Sequence, residues 1–243
     1  MFPEIVKDLA PSGTLRAAIN MANFLLVTGR TTSGDPDGVS PDMARELARR
    51  LGVGVELLPY ASPGEIADDA GTGTWDIGNI GAEPKRAEKI DFTAAYCEIQ
   101  ATYLVPAGSP FESIADVDRP GTRISVSARS AYDLWLERNI KHAELVRSNG
   151  IDASFELFVS EGLDALAGLR PRLTADVENL PGASILDGQF AAVQQAIGCA
   201  RGRDAGAAFL KEFVEETKAS GFVAELIEQH GVTGRLSVAP PAR

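Results

Sequence analysis

Arg86 is the side chain whose type and setting point most directly to chemistry. It stands in Gly81-Ala82-Glu83-Pro84-Lys85-Arg86, just after the apolar run Ile77 to Ile80. Pro84 fits the first position of a helix, where its missing N–H costs nothing. One turn of helix there aims free N–H groups past the end of the apolar strand, an anion site. Arg86 adds a guanidinium fork suited to a carboxylate. The plainer alternative is an ion pair of Arg86 with Glu83 or Glu88 on a solvated turn, a common arrangement at this spacing. A second such place is Ser127-Ala128-Arg129-Ser130, which follows the strand residues Ile124 and Val126. Ser130 and Asp133 form a capping box at the head of a helix that runs through Leu134, Trp135 and Ile140. Asn20 and Asn23 add polar groups after the strand Leu15 to Ile19, at the end where open α/β sheets bind ligands.

Catalytic and metal signatures are scarce. The two histidines, His142 and His230, read as solvated helix ends favoured by the helix dipole. No nucleophile elbow, P-loop or paired-cysteine motif occurs. Gly71-Thr72-Gly73-Thr74 precedes a strand, where a dinucleotide fingerprint must follow one. Asp35 and Asp37 resemble the start of a calcium loop, but Gly38 is misplaced and no Glu follows at the right distance. No catalytic residue, metal or cofactor is therefore expected. A net charge of −11 argues against a nucleic-acid partner, because no basic excess exists to replace counterions. Cys97 and Cys199 stand far apart and read as buried free thiols, with a disulfide as the alternative. Residues 1–13 show no continuous apolar stretch of the signal-peptide kind.

The elements that must position these groups alternate. Ser40-Pro41-Asp42 is expected to cap a helix with the apolar stripe Met43, Ala44, Leu47, Ala48 and Leu51, stopped by Gly52. Val53, Val55 and Leu57 give the next strand. Ser62-Pro63-Gly64-Glu65 is a capping box. Ile90, Phe92 and Tyr96 read as a new extended stretch, and so does Ile99 to Val105. Phe155, Leu157 and Val159 alternate as a strand would, and Ser160 then caps a helix to Leu166. Gly168 to Pro171 closes that unit. Val193 to Ala200 is a strand, Ala205 to Thr217 a helix, and Val223 to His230 a last helix. Arg235 to Arg243 reads as a frayed tail. The succession of strand, polar turn and capped helix in both halves predicts two α/β lobes with mostly parallel sheets.

"PKRAEKIDFTAAY" resembles the segment that family 3 bacterial solute-binding proteins carry between their ligand strand and first hinge. "GTLRAAI", "GVSPDMARELARRLGVGVEL" and "FLKEFVEETKASGFVAELIEQHG" fit the same pattern in order. The resemblance covers most of the chain and is weakest between about 140 and 195. It implies the two-lobed α/β type II periplasmic-binding fold, with an interlobe ligand cleft and two hinge crossings. Lobe I would take residues 1–98 with 195–243, and lobe II residues 99–194. The ligand would be a small anion or zwitterion, an amino acid or a deaminated organic acid. The partner would be an ABC transporter permease, the protein a monomer, and the compartment the periplasm. Arg86 would grip the ligand carboxylate, and Ser130 would meet the same group.

Departures from the family pattern are informative. Glu83 replaces the usual Thr, and the usual stacking aromatic of the first lobe falls near Asn23. Where amino-acid receptors place an Asp after their "LDA" helix to hold the ammonium, this chain offers Gly168, Leu169 and Arg170. Arg170, and Arg129 beside Ser130, could take a second acidic group. Two alternatives stand beside a transport receptor. One is an enzyme resembling the cyclohexadienyl dehydratases, with Glu83 or Asp133 as general acid. The other is a cytoplasmic metabolite-binding relative, to which the missing signal peptide points.

Overall fold

The computed structural model describes residues 3–242. The chain forms two compact units. One combines the residues up to Glu98 with those from Gln194 onward, and the other is the continuous run Ile99–Val193. The polypeptide therefore passes from unit to unit twice.

The first segment holds helix α1 (Pro3–Leu9), strand β1 (Thr14–Asn20), the brief strands β2 (Gly29–Arg30) and β3 (Pro36–Asp37), and helix α2 (Val39–Leu51). It continues with β4 (Gly54–Tyr60), α3 (Pro63–Asp68), β5 (Ile77–Gly81), the one-turn helix α4 (Pro84–Ala87) and β6 (Ile90–Phe92). The inserted run holds most of β7 (Cys97–Val105), then a 3-10 turn at Ile114–Val117, β8 (Arg123–Ser127), α5 (Ala131–Asn139), β9 (Glu144–Ser148), α6 (Ile151–Ser160), β10 (Ala165–Leu169), α7 (Arg170–Val177) and β11 (Ser184–Ile185). The return supplies β12 (Ala191–Ala200), α8 (Asp204–Ala219), α9 (Phe222–Gln229) and β13 (Ser237–Val238).

In the first unit β1 runs parallel to β4 and β5, and β12 lies antiparallel on the far side of β5. Such parallel neighbours need crossover helices, here α2 and α3. The stripe of α2 is buried as its spacing demands, with Met43, Ala44 and Leu47 at 0 % exposure. Ile66 of α3 packs with Ala18, Trp75, Ile80 and Ile90 in one apolar cluster. In the second unit the order is β7-β10-β8-β9. There β8 runs parallel to β10 and β9, and β7 lies antiparallel to β10. Leu104, Phe158, Leu163, Leu166 and Leu173 form its cluster.

Several expectations need correction. Helix α2 begins one residue before Ser40, with Gly38 as its cap, and Ser40 is buried in its first turn. Gly38 has φ 147, and a Cβ there would stand 2.3 Å from the Leu26 carbonyl oxygen, so close backbone approach fixes this position as glycine. The alternation of Phe155, Leu157 and Val159 belongs to helix α6 instead of a strand. Ser154 and Phe158 are its buried pair, four apart, and Val159 is half exposed. The stretch after Ser160 is no helix, and Ala165–Leu169 forms a strand buried at every residue, whose unbroken apolar run carries no period. Gly168 to Pro171 does not close the unit, because Arg170 and Pro171 open α7. The tail is fastened as far as Ala242: Ser237 and Val238 pair with Glu98 and Cys97 of β7, and Leu236 and Ala239 are buried. Arg243 lies outside the described residues.

Candidate functional site

Strand β5 is buried along its whole length, and it ends at Gly81. The chain then turns through Glu83, which is extended at φ −141 and caps α4 without a side-chain bond to the helix backbone. Pro84 opens that turn of helix, as its ring geometry favours. Arg86 is only 5 % exposed, and its Nη1 donates to the Gly81 carbonyl at 2.7 Å. That bond folds the guanidinium back toward the carboxyl end of β5. The turn is then tied to β12, where Thr93 Oγ1 accepts from the Ile197 N–H at 3.2 Å.

One buried polar residue of this strand escaped the sequence reading. Asn79 is 1 % exposed, and neither its Nδ2 nor its Oδ1 has a hydrogen-bond partner in the protein. It lies opposite Ile19 of β1 and Ile197 of β12, and two residues before Gly81. An unpaired buried amide costs about 1–3 kcal/mol. The available signal was a lone Asn inside the run Ile77 to Ile80. The Tyr96 hydroxyl is likewise buried without a partner.

Asn20 ends β1, and its Oδ1 accepts from the Ala22 N–H at 3.2 Å. Asn23 is 5 % exposed, and its Oδ1 accepts from the N–H groups of Leu25 and Leu26. Its side chain stabilises the turn that leads to Val27.

In the second unit, Ser130 caps α5 and its Oγ accepts from the Asp133 N–H at 3.1 Å. Burial pushes the adjoining Tyr132 phenol up to about 12, against the opposing effect of hydrogen bonds with the Ser130 and Ser127 hydroxyls. Asp133 is 3 % exposed, and both its oxygens are engaged. Oδ2 accepts from the Arg129 N–H at 2.7 Å, and Oδ1 accepts from Arg147 Nε at 2.8 Å. Arg129 is exposed and adopts φ 60, the one left-handed non-glycine residue among those described. Such a backbone costs about 1–3 kcal/mol and persists only where its surroundings enforce it. The Asp133 carboxylate on the Arg129 N–H is such an enforcement.

The "LDA" residues lie before and within β10 and not in a helix, and Asp164 accepts from the Arg123 N–H at 2.7 Å. Arg170 opens α7. Its Nε donates to Gln100 Oε1 at 2.9 Å, and its Nη2 donates to the carbonyls of Leu186 and Gly188. A ligand acid at Arg170 would have to share that fork. His142 is exposed as expected, whereas His230 differs. His230 is no solvated end: its Nε2 lies 2.8 Å from Asp42 Oδ2, with the side chain 6 % exposed. The His142 N–H, together with those of Lys141 and Ala143, donates to the Asp118 carboxylate. Cys97 and Cys199 are free and buried. Burial pushes the Cys199 thiol up to about 11, and the Cys97 thiol higher still. No helix of the described residues is long and apolar enough to cross a membrane.

A search of curated proteins found no match. Among solved structures, an ancestral amino-acid-binding protein described as a precursor of cyclohexadienyl dehydratase is similar at TM-score 0.74 and 20 % identity, over 92 % of this chain and 97 % of that one. A mutant of ArgBP from T. maritima is similar at TM-score 0.73 and 20 % identity, over 93 % and 99 %. An amino acid ABC transporter substrate-binding protein from Streptococcus pneumoniae, bound to L-arginine, gives TM-score 0.73 and 20 % identity over 91 % and 96 %. These likenesses carry the two-lobed type II periplasmic-binding fold. The sequence profile of one family spans residues 21–233, and with it the buried Arg86, the Ser130 turn and the last helices. The chain belongs to the bacterial extracellular solute-binding proteins, family 3.

Proposed function

We propose that this protein is the solute receptor of an ABC transporter and binds a small carboxylate-bearing ligand, outside the cytoplasmic membrane and as a monomer. The observation that carries the reading is Arg86. A guanidinium only 5 % exposed, set one turn beyond the end of a buried strand, is a preorganised anion anchor. In the family's pattern Arg86 takes the ligand carboxylate, and a hydroxyl at the position of Ser130 is a further ligand contact. The one-turn helix and the strained Arg129 backbone support that assignment, because loops held in costly conformations cluster at ligand clamps.

Within that class we infer a preference for acids without a free α-ammonium. The run Gly168-Leu169-Arg170 supplies no carboxylate, and its one charged group is a cation. Burying an ammonium without an acidic partner costs several kcal/mol. A thermal-shift panel of amino acids against their keto, hydroxy and deaminated analogues tests this. Organic acids are expected to stabilise the protein and the matching amino acids to stabilise it less. Stabilisation by lysine, arginine or glutamine alone would assign the ammonium to an acid such as Glu83 and overturn the preference.

A further inference from the structure

A cluster of ligating groups lies outside the residues assigned so far. Asp37 belongs to β3, Asp42 to the first turn of α2, and His230 caps the carboxyl end of α9. One donor atom of each falls within 4.8 Å of the others. Asp42 is held on two sides. Its Oδ2 faces His230 Nε2 at 2.8 Å, and its Oδ1 accepts from Arg45 Nη1 at 2.7 Å. Arg45 is itself anchored, with Nη2 donating to the Pro36 carbonyl at 2.9 Å. The His230 side chain is 6 % exposed. Among the described residues, the Asp37 carboxylate has neither a hydrogen-bond partner nor an ion-pair partner. Two carboxylates and an imidazole therefore converge, with the single charge of Arg45 against two acids.

We propose that Asp37, Asp42 and His230 bind one divalent transition ion of the zinc class. The ligands would be an Asp37 oxygen, Asp42 Oδ2 and His230 Nε2, with water completing the sphere. One imidazole nitrogen with two carboxylates suits zinc and its neighbours, whereas calcium takes six to eight oxygens. With bonds of about 2.0 Å, tetrahedral donors stand about 3.3 Å apart. The Asp42 and His230 donors, 2.8 Å apart, need to part by only about half an ångström to admit the ion. The Asp37 oxygen, within 4.8 Å of both, has about 1.5 Å at most to close and gives up no partner. The Arg45 guanidinium on Oδ1 orients the Asp42 carboxylate, as outer donors do at metal sites, and leaves Oδ2 for the ion. Any proton shared along the Asp42–His230 bond leaves to solvent when the ion enters. The bound ion would fasten β3 and α2 to α9, segments nearly two hundred residues apart in the chain.

The test uses tag-free protein freed of metal with a chelator and then dialysed. Zinc chloride is titrated against the thermal melt, magnesium chloride serves as the control, and bound zinc is counted by mass spectrometry after desalting. The expected result is one zinc per chain and a rise in Tm of about 5–10 °C at about a hundredfold excess over Kd. Magnesium should give no rise. Asp37→Asn should leave the metal-free Tm near wild type and lose the zinc shift, and His230→Gln should lose the shift as well. A wild-type rise below about 1 °C at millimolar zinc, within the scatter expected for such melts, would overturn the proposal. So would an equal rise in Asp37→Asn, which would place the zinc elsewhere, such as on thiols exposed by unfolding. None of these readouts depends on the solute, so failure here leaves the Arg86 reading standing, and the reverse holds too.

Discussion

Arg86→Ala separates two jobs of one side chain, and the structure sets the size of each. The guanidinium is 5 % exposed and donates at 2.7 Å to the carbonyl of Gly81, itself buried. Truncation leaves that carbonyl without its donor, a loss of about 1–3 kcal/mol of folding stability. It also removes the ligand anchor. Truncating one partner of a desolvated charge pair costs about 2–5 kcal/mol of binding, roughly 30-fold to several thousand-fold in Kd. The assay is isothermal titration with whichever acid gives the largest thermal shift, paired with urea unfolding of the ligand-free protein. Arg86→Lys provides the contrast, because it keeps the charge and loses the fork. Its affinity should fall between those of wild type and Arg86→Ala. If Arg86→Ala loses stability yet binds within about threefold of wild type, well under one anchor's worth, Arg86 is a structural brace only and the reasoning fails.

Two further expectations concern stability. The Glu46 carboxyl is held down at about 2, first by its hydrogen bond to Arg49, then, against burial, by that to Arg50. Between about 4.5 and about 2 the unfolded chain therefore binds the proton that the folded one refuses, so this contribution is present above that window and lost as pH falls through it. In urea titrations Glu46→Gln should cost about 1 kcal/mol at neutral pH and flatten that acid slope, and an unchanged slope would refute the assignment. Gly38→Ala would drive a Cβ to 2.3 Å from the Leu26 oxygen, a backbone atom that cannot swing away, at a strained φ of 147. A loss of about 3 kcal/mol, or roughly 6–12 °C in Tm, is expected by calorimetry. A change under about 1 °C would show that the α2 entry is far softer than its geometry implies.

The legible parts of the chain were those where a local rule and the burial pattern agree. The α2 stripe, the Ser62 cap on the Glu65 N–H, Pro84 at the head of α4 and Ser130 at the head of α5 all follow from short-range chemistry. The failures came where tertiary packing decides. Phe155 to Val159 could serve either period, and the stretch is helical because the position four residues from Phe158, Ser154, faces inward with it. Asp42 and His230 are 188 residues apart, and no local pattern announces their contact. Asn79 was overlooked because an apolar run reads as uniform core, although a buried amide without a partner is a costlier choice than any residue beside it. Arg170 read as a free cation, yet acceptors in β7 and in the loop after β11 already engage it.

The placement of β12 has a consequence for how this chain reaches its native state. The run Ile99–Val193 is continuous, so all its pairing partners exist once it has been synthesised. The other unit is interrupted. Until residues 195–200 arrive, β5 has β1 along one edge and nothing along the other, and β6 has no strand to join. The exposed edge is Ile77 to Gly81, apolar apart from Asn79, the kind of unpaired strand that invites pairing with another chain. Growing chains add residues from the amino end. The unit begun first is therefore the one completed last, and the apolar edge of β5 waits uncovered while the insert is made.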